Sequence, residues 1–199
     1  MMRVIDCVFT MITLCLASCG VKDYNSLPLF SPDHMVQAVV ETPAGSEYPV
    51  HYDPETDRFE VMMGKDSIGT LESIPYPCNI GFIPSTLVSE GNQHDKEAIE
   101  VLILAEPLET GDVIEIQPVG IVTVRINEQP GHLIVAVPCE KEYQTINAAN
   151  LAELNEKYPE IFTILGDWIR SSDPEHLTQV VAWQDEVMAA RFIETWEVN

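Results

Sequence analysis

The sequence predicts an α+β domain built on a small closed β-barrel, with helices confined to its C-terminal end. Three observations predict it: apolar stretches of strand length succeed one another between residues 36 and 137, turn-forming clusters separate them, and helical spacing starts only after residue 159. The first strand signal is Val36-Gln37-Ala38-Val39-Val40-Glu41, which runs into a Thr42-Pro43-Ala44-Gly45 turn. Residues 50–52 and 59–63 flank Asp53-Pro54-Glu55-Thr56-Asp57, a turn by composition, and so predict a hairpin. A short strand over 81–84 and an apolar strand over 99–104 follow.

The longest β signal spans 112–126, where Val113, Ile114, Ile116, Val119, Ile121, Val122, Val124 and Ile126 alternate imperfectly and Pro118 and Gly120 interrupt them. This reads as two strands, or as one strand bent at a barrel corner. After a turn at 127–131, the continuous apolar run 133–137 suits a buried strand. Ile161, Phe162, Leu165, Trp168 and Ile169 then fall at i, i+1, i+4, i+7 and i+8, behind a Pro159 placed for a first helical turn. In a second helix Met188, Phe192 and Trp196 stand four apart, with Asp185 and Glu186 where the helix dipole favours acids.

Residues 1–18 stand outside this fold. Arg3 precedes an apolar run over 8–17 that ends in Leu16-Ala17-Ser18-Cys19, the pattern of a bacterial lipoprotein signal. The run is too short to span a bilayer as a helix. Cleavage would leave a lipid-bearing Cys19 and a tether over 19–34, mixed in Ser, Pro, Asp and Lys without periodicity, ahead of one domain over 35–199. The expected place is the bacterial cell envelope, anchored to a membrane on its periplasmic or cell-surface side.

The formal net charge is −22, and loss of the signal removes one base, Arg3, and one acid, Asp6, leaving it unchanged. Such a field repels anions and argues against nucleic acid as a partner; any small polyanion is repelled too unless divalent metals arrive with it. Cys7 and Cys15 leave with the signal and Cys19 takes the lipid, so Cys78 and Cys139 remain as two buried free thiols or as a pair. No two cysteines lie at zinc-binding spacing. There is no Gly-rich phosphate loop, Gly-x-Ser-x-Gly or His-Glu-x-x-His.

Several short strings give a more specific signal: Val39-Val40-Glu41-Thr42-Pro43, Tyr76-Pro77-Cys78-Asn79 with Gly81, Glu90-Gly91-Asn92, Pro118-Val119-Gly120, Val135-Ala136-Val137-Pro138, and Ala182-Trp183. In this order and at this spacing the chain resembles the soluble family I inorganic pyrophosphatases over residues 39–183. The resemblance implies an OB-like five-stranded barrel with helices packed outside. It also implies Mg²⁺-dependent hydrolysis of inorganic diphosphate to two phosphates, with diphosphate or phosphate as ligand. Self-association into a homo-oligomer is left open.

Carried over residue by residue, the resemblance retains Glu41 and Tyr76 as substrate-site residues and places Arg170 where the family has a Lys. The family's Asp-Gly-Asp-Pro motif falls on Glu90 and Asn92. Glu90 keeps a carboxylate, but Asn92 stands at the position of the catalytic base, and an amide cannot take a proton near neutral pH. The third metal-binding acid is Asp95 by ungapped spacing, or Glu100 if the following Val101-Leu102-Ile103-Leu104 strand sets the register; Glu100 is preferred because a strand fixes register better than a loop. Elsewhere Pro49 and His51 replace a Lys-x-Glu pair, Met63 an Arg, Ile80 a Tyr, and Leu133 or His132 a Lys. Ile126 or Asn127, and then Gly131, stand where the family has two further Asp. His51, His94 and His132 are isolated in sequence and carry no ligand signal of their own. The acids Glu90, Asp95, Glu97 and Glu100 form an oxygen-rich, sulfur-free group suited to Mg²⁺ or Ca²⁺, or equally to a solvated acidic loop.

Three functions stay open on these grounds: a divergent pyrophosphatase, a catalytically silent relative that binds metal, anion or protein, and an enzyme acting on another phosphoester.

Overall fold

The computed structural model describes residues 23–62, 74–89, 97–171 and 178–198. Eight strands and three helices follow one another as β1 (Val36–Thr42), β2 (Val50–Asp53), β3 (Arg58–Val61), β4 (Asn79–Val88), β5 (Glu97–Ile103), β6 (Val113–Ile126), β7 (Gln129–Pro138), α1 (Leu151–Lys157), α2 (Glu160–Ser171), β8 (Thr178–Asp185) and α3 (Glu186–Thr195). Six strands form one sheet in the order β1-β4-β5-β7-β6-β8, and β1 pairs with β6 as well as with β4. Only β5 and β7 run parallel; β2 and β3 make a separate hairpin.

Apolar alternation sorts the core into two layers. Val40, Ile83, Ile99, Val101, Ile103, Ile116 and Ile134 face one side, where Ala189 and Ile193 of α3 join them. Leu102, Leu104, Val122, Val135 and Val137 face the other, under Leu154 of α1 and Leu165, Trp168 and Ile169 of α2. The central strands are thus covered on both faces, which is why residues 101–104 and 133–137 read as unbroken apolar runs.

Interruptions in the sequence become specific irregularities. β6 is a single strand whose pairing with β7 slips between Pro118 and Gly120. The β6–β7 turn is tighter than the expected 127–131: Asn127 (φ 46°) and Glu128 (φ 69°) make the corner and Gly131 already pairs with Val124. Two elements escaped the periodicity reading. The seven-residue α1 offers too few turns for a spacing pattern, though the Asn150 side chain accepts the Glu153 N–H at 2.8 Å and caps it. β8 pairs only with β6, and its half-covered face yields no clean alternation.

The end of the expected tether also lies against the domain. Leu29 is buried in the first core layer, Gln37 N–H donates to its carbonyl at 2.9 Å, and the Tyr24 ring meets those of Tyr52 and Phe59. Single anchors of this kind leave no period in a sequence. Cys78 is buried, Cys139 is half-buried, and both are free thiols. Residues 1–18, where the sequence reads as a lipoprotein signal, and Cys19 lie outside the described residues.

Asn79 locks the start of β4. Its side chain is fully buried; Oδ1 accepts the N–H groups of Ala44 (3.0 Å) and Leu108 (2.9 Å), while Nδ2 donates to the Glu106 carbonyl at 3.0 Å and toward that of Ile103 at 3.4 Å. The turn after β1 and the loop after β5 are thereby tied to one residue, directly beside the strand ends that carry the site.

Candidate active site

The site is built where the β2–β3 hairpin folds back over β1, β4 and β5. Register aligns Val39 of β1 with Phe82 of β4, and Phe82 with Glu100 of β5. The Tyr52 ring stacks on Phe82 with centroids 5.7 Å apart, and Phe59 and Tyr24 close the aromatic group. The Tyr52 hydroxyl donates to Asp57 at 2.6 Å and accepts the Tyr24 N–H at 3.1 Å, so the hairpin is held by polar as well as ring contacts.

This docking fixes Glu41. Its side chain is 10% exposed, and Oε1 accepts the Tyr52 N–H at 2.7 Å. Strand alternation turns Tyr52 inward and its neighbour His51 outward, which brings His51 Nδ1 to 3.8 Å from that same oxygen. The Glu41 carboxylate raises the His51 pKa, against a lowering by burial; Glu100 and Glu97 raise it further.

Glu100 opens to solvent at its residue surface. Even so, protein packed around its carboxyl raises its pKa to about 7, with Glu41 and Glu97 pushing up and His51 pulling down. Tyr76 rests on Trp168 of α2, ring centroids 5.1 Å apart, and burial followed by the Glu100 charge pushes its phenol to about 12. Glu41, His51, Tyr76 and Glu100 therefore share one electrostatic neighbourhood.

Arg170 is placed differently. It is exposed at the end of α2, ion-paired with Asp167 and two residues on from Trp168, hence on the opposite side of the helix from Tyr76. Among the positions where the resemblance calls for cations, Pro49 sits half-buried at the mouth of the hairpin and Leu133 packs into the layer beneath α2. His132 packs against Phe192, centroids 4.7 Å apart. Met63, Glu90, Asn92, His94 and Asp95 lie outside the described residues.

No group of three His, Cys, Asp or Glu stands close enough to hold a metal ion among the described residues. The donor chemistry nevertheless fits a hard divalent cation: Glu41 and Glu100 are oxygen donors whose mutual repulsion already raises the Glu100 pKa. His51 is the site residue that sequence reasoning set aside. Its ten-residue separation from Glu41 carries no signal until β2 is known to lie back across the end of β1.

A two-layered sheet clamped by C-terminal helices, with acids gathered under a hairpin at its edge, defines the class. The inorganic pyrophosphatase family model matches residues 38–198, and the chain belongs to that family. The inorganic pyrophosphatase of Sulfolobus acidocaldarius is 34% identical over 127 residues, covering 63% of this chain and 66% of that protein. That of Agrobacterium fabrum is 27% identical over 168 residues, 82% of this chain and 88% of that protein. Among solved structures, the inorganic pyrophosphatase from Thermus thermophilus superposes with a TM-score of 0.70 at 21% identity, covering 88% of this chain and 97% of that one. At that identity the superposition speaks for the fold.

Proposed function

We propose that this protein hydrolyses inorganic diphosphate to two phosphates with Mg²⁺, at a turnover far below that of an ordinary enzyme. The observation that carries this reading is the pairing of retained acids with lost cations: Glu41 and Glu100 act on each other electrostatically at one end of the sheet, whereas Pro49 and Leu133 fill places where the family has Lys. Phosphoryl transfer depends on neutralising the charge that builds on the leaving phosphate, and each missing preorganised group typically costs on the order of a hundred- to a thousandfold. Mg²⁺ would be held by Glu90 together with Glu100, or with Asp95 in that third place, and would neutralise phosphate charge and polarise water. Tyr76, packed on Trp168 and kept protonated by burial, offers a hydroxyl donor to a phosphate oxygen. Phosphate release from Mg-diphosphate by the purified protein tests the reading.

A second reading, a non-catalytic module that binds metal, anion or protein, draws support from Arg170, whose guanidinium is engaged by Asp167 rather than turned toward Tyr76. The cycle of pairings β1–β4–β5–β7–β6–β1 supports the OB-like five-stranded barrel as the scaffold in either case. The Leu16-Ala17-Ser18-Cys19 string supports lipidation of Cys19 and an envelope location. Labelled fatty acid should enter the protein and vanish in Cys19→Ser; incorporation that survives the substitution would overturn that placement.

A further inference from the structure

The N-terminal segment enters the domain at a fixed point. Tyr24 N–H donates to the Tyr52 hydroxyl at 3.1 Å, and its ring meets those of Tyr52 and Phe59. Ser85 of β4 holds the residues that follow: its N–H donates to the Asn25 carbonyl at 3.1 Å and its hydroxyl to the Leu27 carbonyl at 2.8 Å. The Gln37 side-chain amide donates to the Pro28 carbonyl at 2.7 Å, and Leu29 is buried in the core. Residues 24–29 are thus a strap fastened to β1, β2, β3 and β4, and any slack between Cys19 and the domain lies ahead of Tyr24. Five residue steps separate Cys19 from Tyr24, and sixteen separate it from Met35, where the domain would begin if the strap were loose. Fully extended, the first span reaches about 18 Å and the second about 58 Å. A domain of this size is about 40 Å across. The longer span would let any side of it face a bilayer, whereas the shorter one keeps the Tyr24 end in the half turned toward the lipid.

We propose that the β2–β3 hairpin and the strap over 24–29 form a membrane-apposed surface, held against the headgroups of a phospholipid bilayer by lipidated Cys19 through this short link. The proposal rests on lipidation of Cys19 and not on diphosphate hydrolysis. One residue joins this surface to the candidate site: Tyr52 donates its N–H to Glu41 at 2.7 Å while its hydroxyl takes the Tyr24 N–H. The acid-lined end of the sheet therefore stands beside the membrane. Charge does not draw it there, because Asp23, Asp53, Glu55, Asp57 and Glu60 outnumber Arg58 at this end and an anionic leaflet repels them. Reach alone sets the orientation, and zwitterionic lipid shows it without that repulsion. The far end of the domain is marked by β6. The Tyr24 hydroxyl lies where a Cβ on Gly111 would come within 3.0 Å of it, just ahead of that strand, and Gln129 lies beyond the last of the strand's 14 residues.

The test uses the full chain, lipidated in cells and returned to phosphatidylcholine vesicles that carry an acceptor dye on some headgroups. A donor dye is placed on Glu55→Cys at the hairpin turn or on Gln129→Cys, both exposed positions, in a Cys139→Ser background; Cys78 is buried and does not compete for label. Energy transfer to the bilayer should be several-fold stronger from Glu55→Cys than from Gln129→Cys. Inserting about twenty Gly/Ser residues after Val21 gives the domain a flexible link and should bring the two probes to equal transfer. Equal transfer in the unextended chain, or stronger transfer from Gln129→Cys, overturns the apposition while leaving the lipid in place. A difference that survives the insertion overturns the short link as its cause. A chain that takes up no labelled fatty acid at Cys19 removes the lipidation reading, and the membrane-apposed surface with it.

Discussion

Gly81 of β4 lies so close to Val39 of β1 that a Cβ built on it would stand 2.0 Å from the Val39 carbonyl oxygen. The obstacle is backbone, which cannot rotate away as a side chain could. Gly81→Ala should therefore part β1 from β4 and cost about 3 kcal/mol or more. Because Glu41 follows two residues after Val39, the site should loosen with it. Urea unfolding measures the loss, and a midpoint unchanged from the wild type would mean the strands are less closely joined than described.

Alkaline pH should destabilise the protein through three protonated groups. Burial raises Tyr52 and Tyr76 from 10.0 to about 12 and Cys78 from 9.0 to about 12. A pKa higher in the folded state means the folded chain holds the proton more tightly. The stabilisation is fully present below pH 9, shrinks as the unfolded groups ionise, and is lost as pH passes about 12. Tyrosinate absorbance followed with pH should show two of the tyrosines ionising late and together with unfolding. Ionisation of every tyrosine near pH 10 with the fold intact would contradict the packing of Tyr52 and Tyr76.

Most of the sheet was legible in the sequence because strands covered on one or both faces leave apolar runs or alternation, as 36–41, 99–104 and 133–137 do. The helix behind Pro159 and the one carrying Met188 and Phe192 were legible for the same reason at a longer period. α1 was too short to show a period, and β8 too unevenly covered. The site was harder to read. Glu41, Tyr76 and Glu100 were singled out by resemblance, since each adjoins a strand or motif that fixes register. His51 could not, because its meeting with Glu41 depends on how a separate hairpin docks through Tyr52 on Phe82. Tyr76 shows a related limit: its support by Trp168 spans 92 residues of chain and has no local trace.

Metal affinity should be weak and should depend on Glu100. Burial first, and then the Glu41 charge, already disfavours a negative charge on its carboxyl, so a divalent cation relieves that cost when it binds. Calorimetry with Mg²⁺ should give measurable heat for the wild type and a clear loss for Glu90→Gln/Glu100→Gln. Equal heats from both proteins would reduce these acids to a solvated surface.

The rate of phosphate release from Mg-diphosphate by the purified wild-type protein at neutral pH tests the account most directly. The account predicts slow release, well below the roughly 10 per second typical of enzymes, and predicts that Asn92→Asp alone leaves it slow, because Pro49, Met63 and Leu133 still supply no positive charge. Turnover above about 10 per second would contradict it, and would show that the acidic corner of Glu41 and Glu100 needs none of the cations whose places those residues fill.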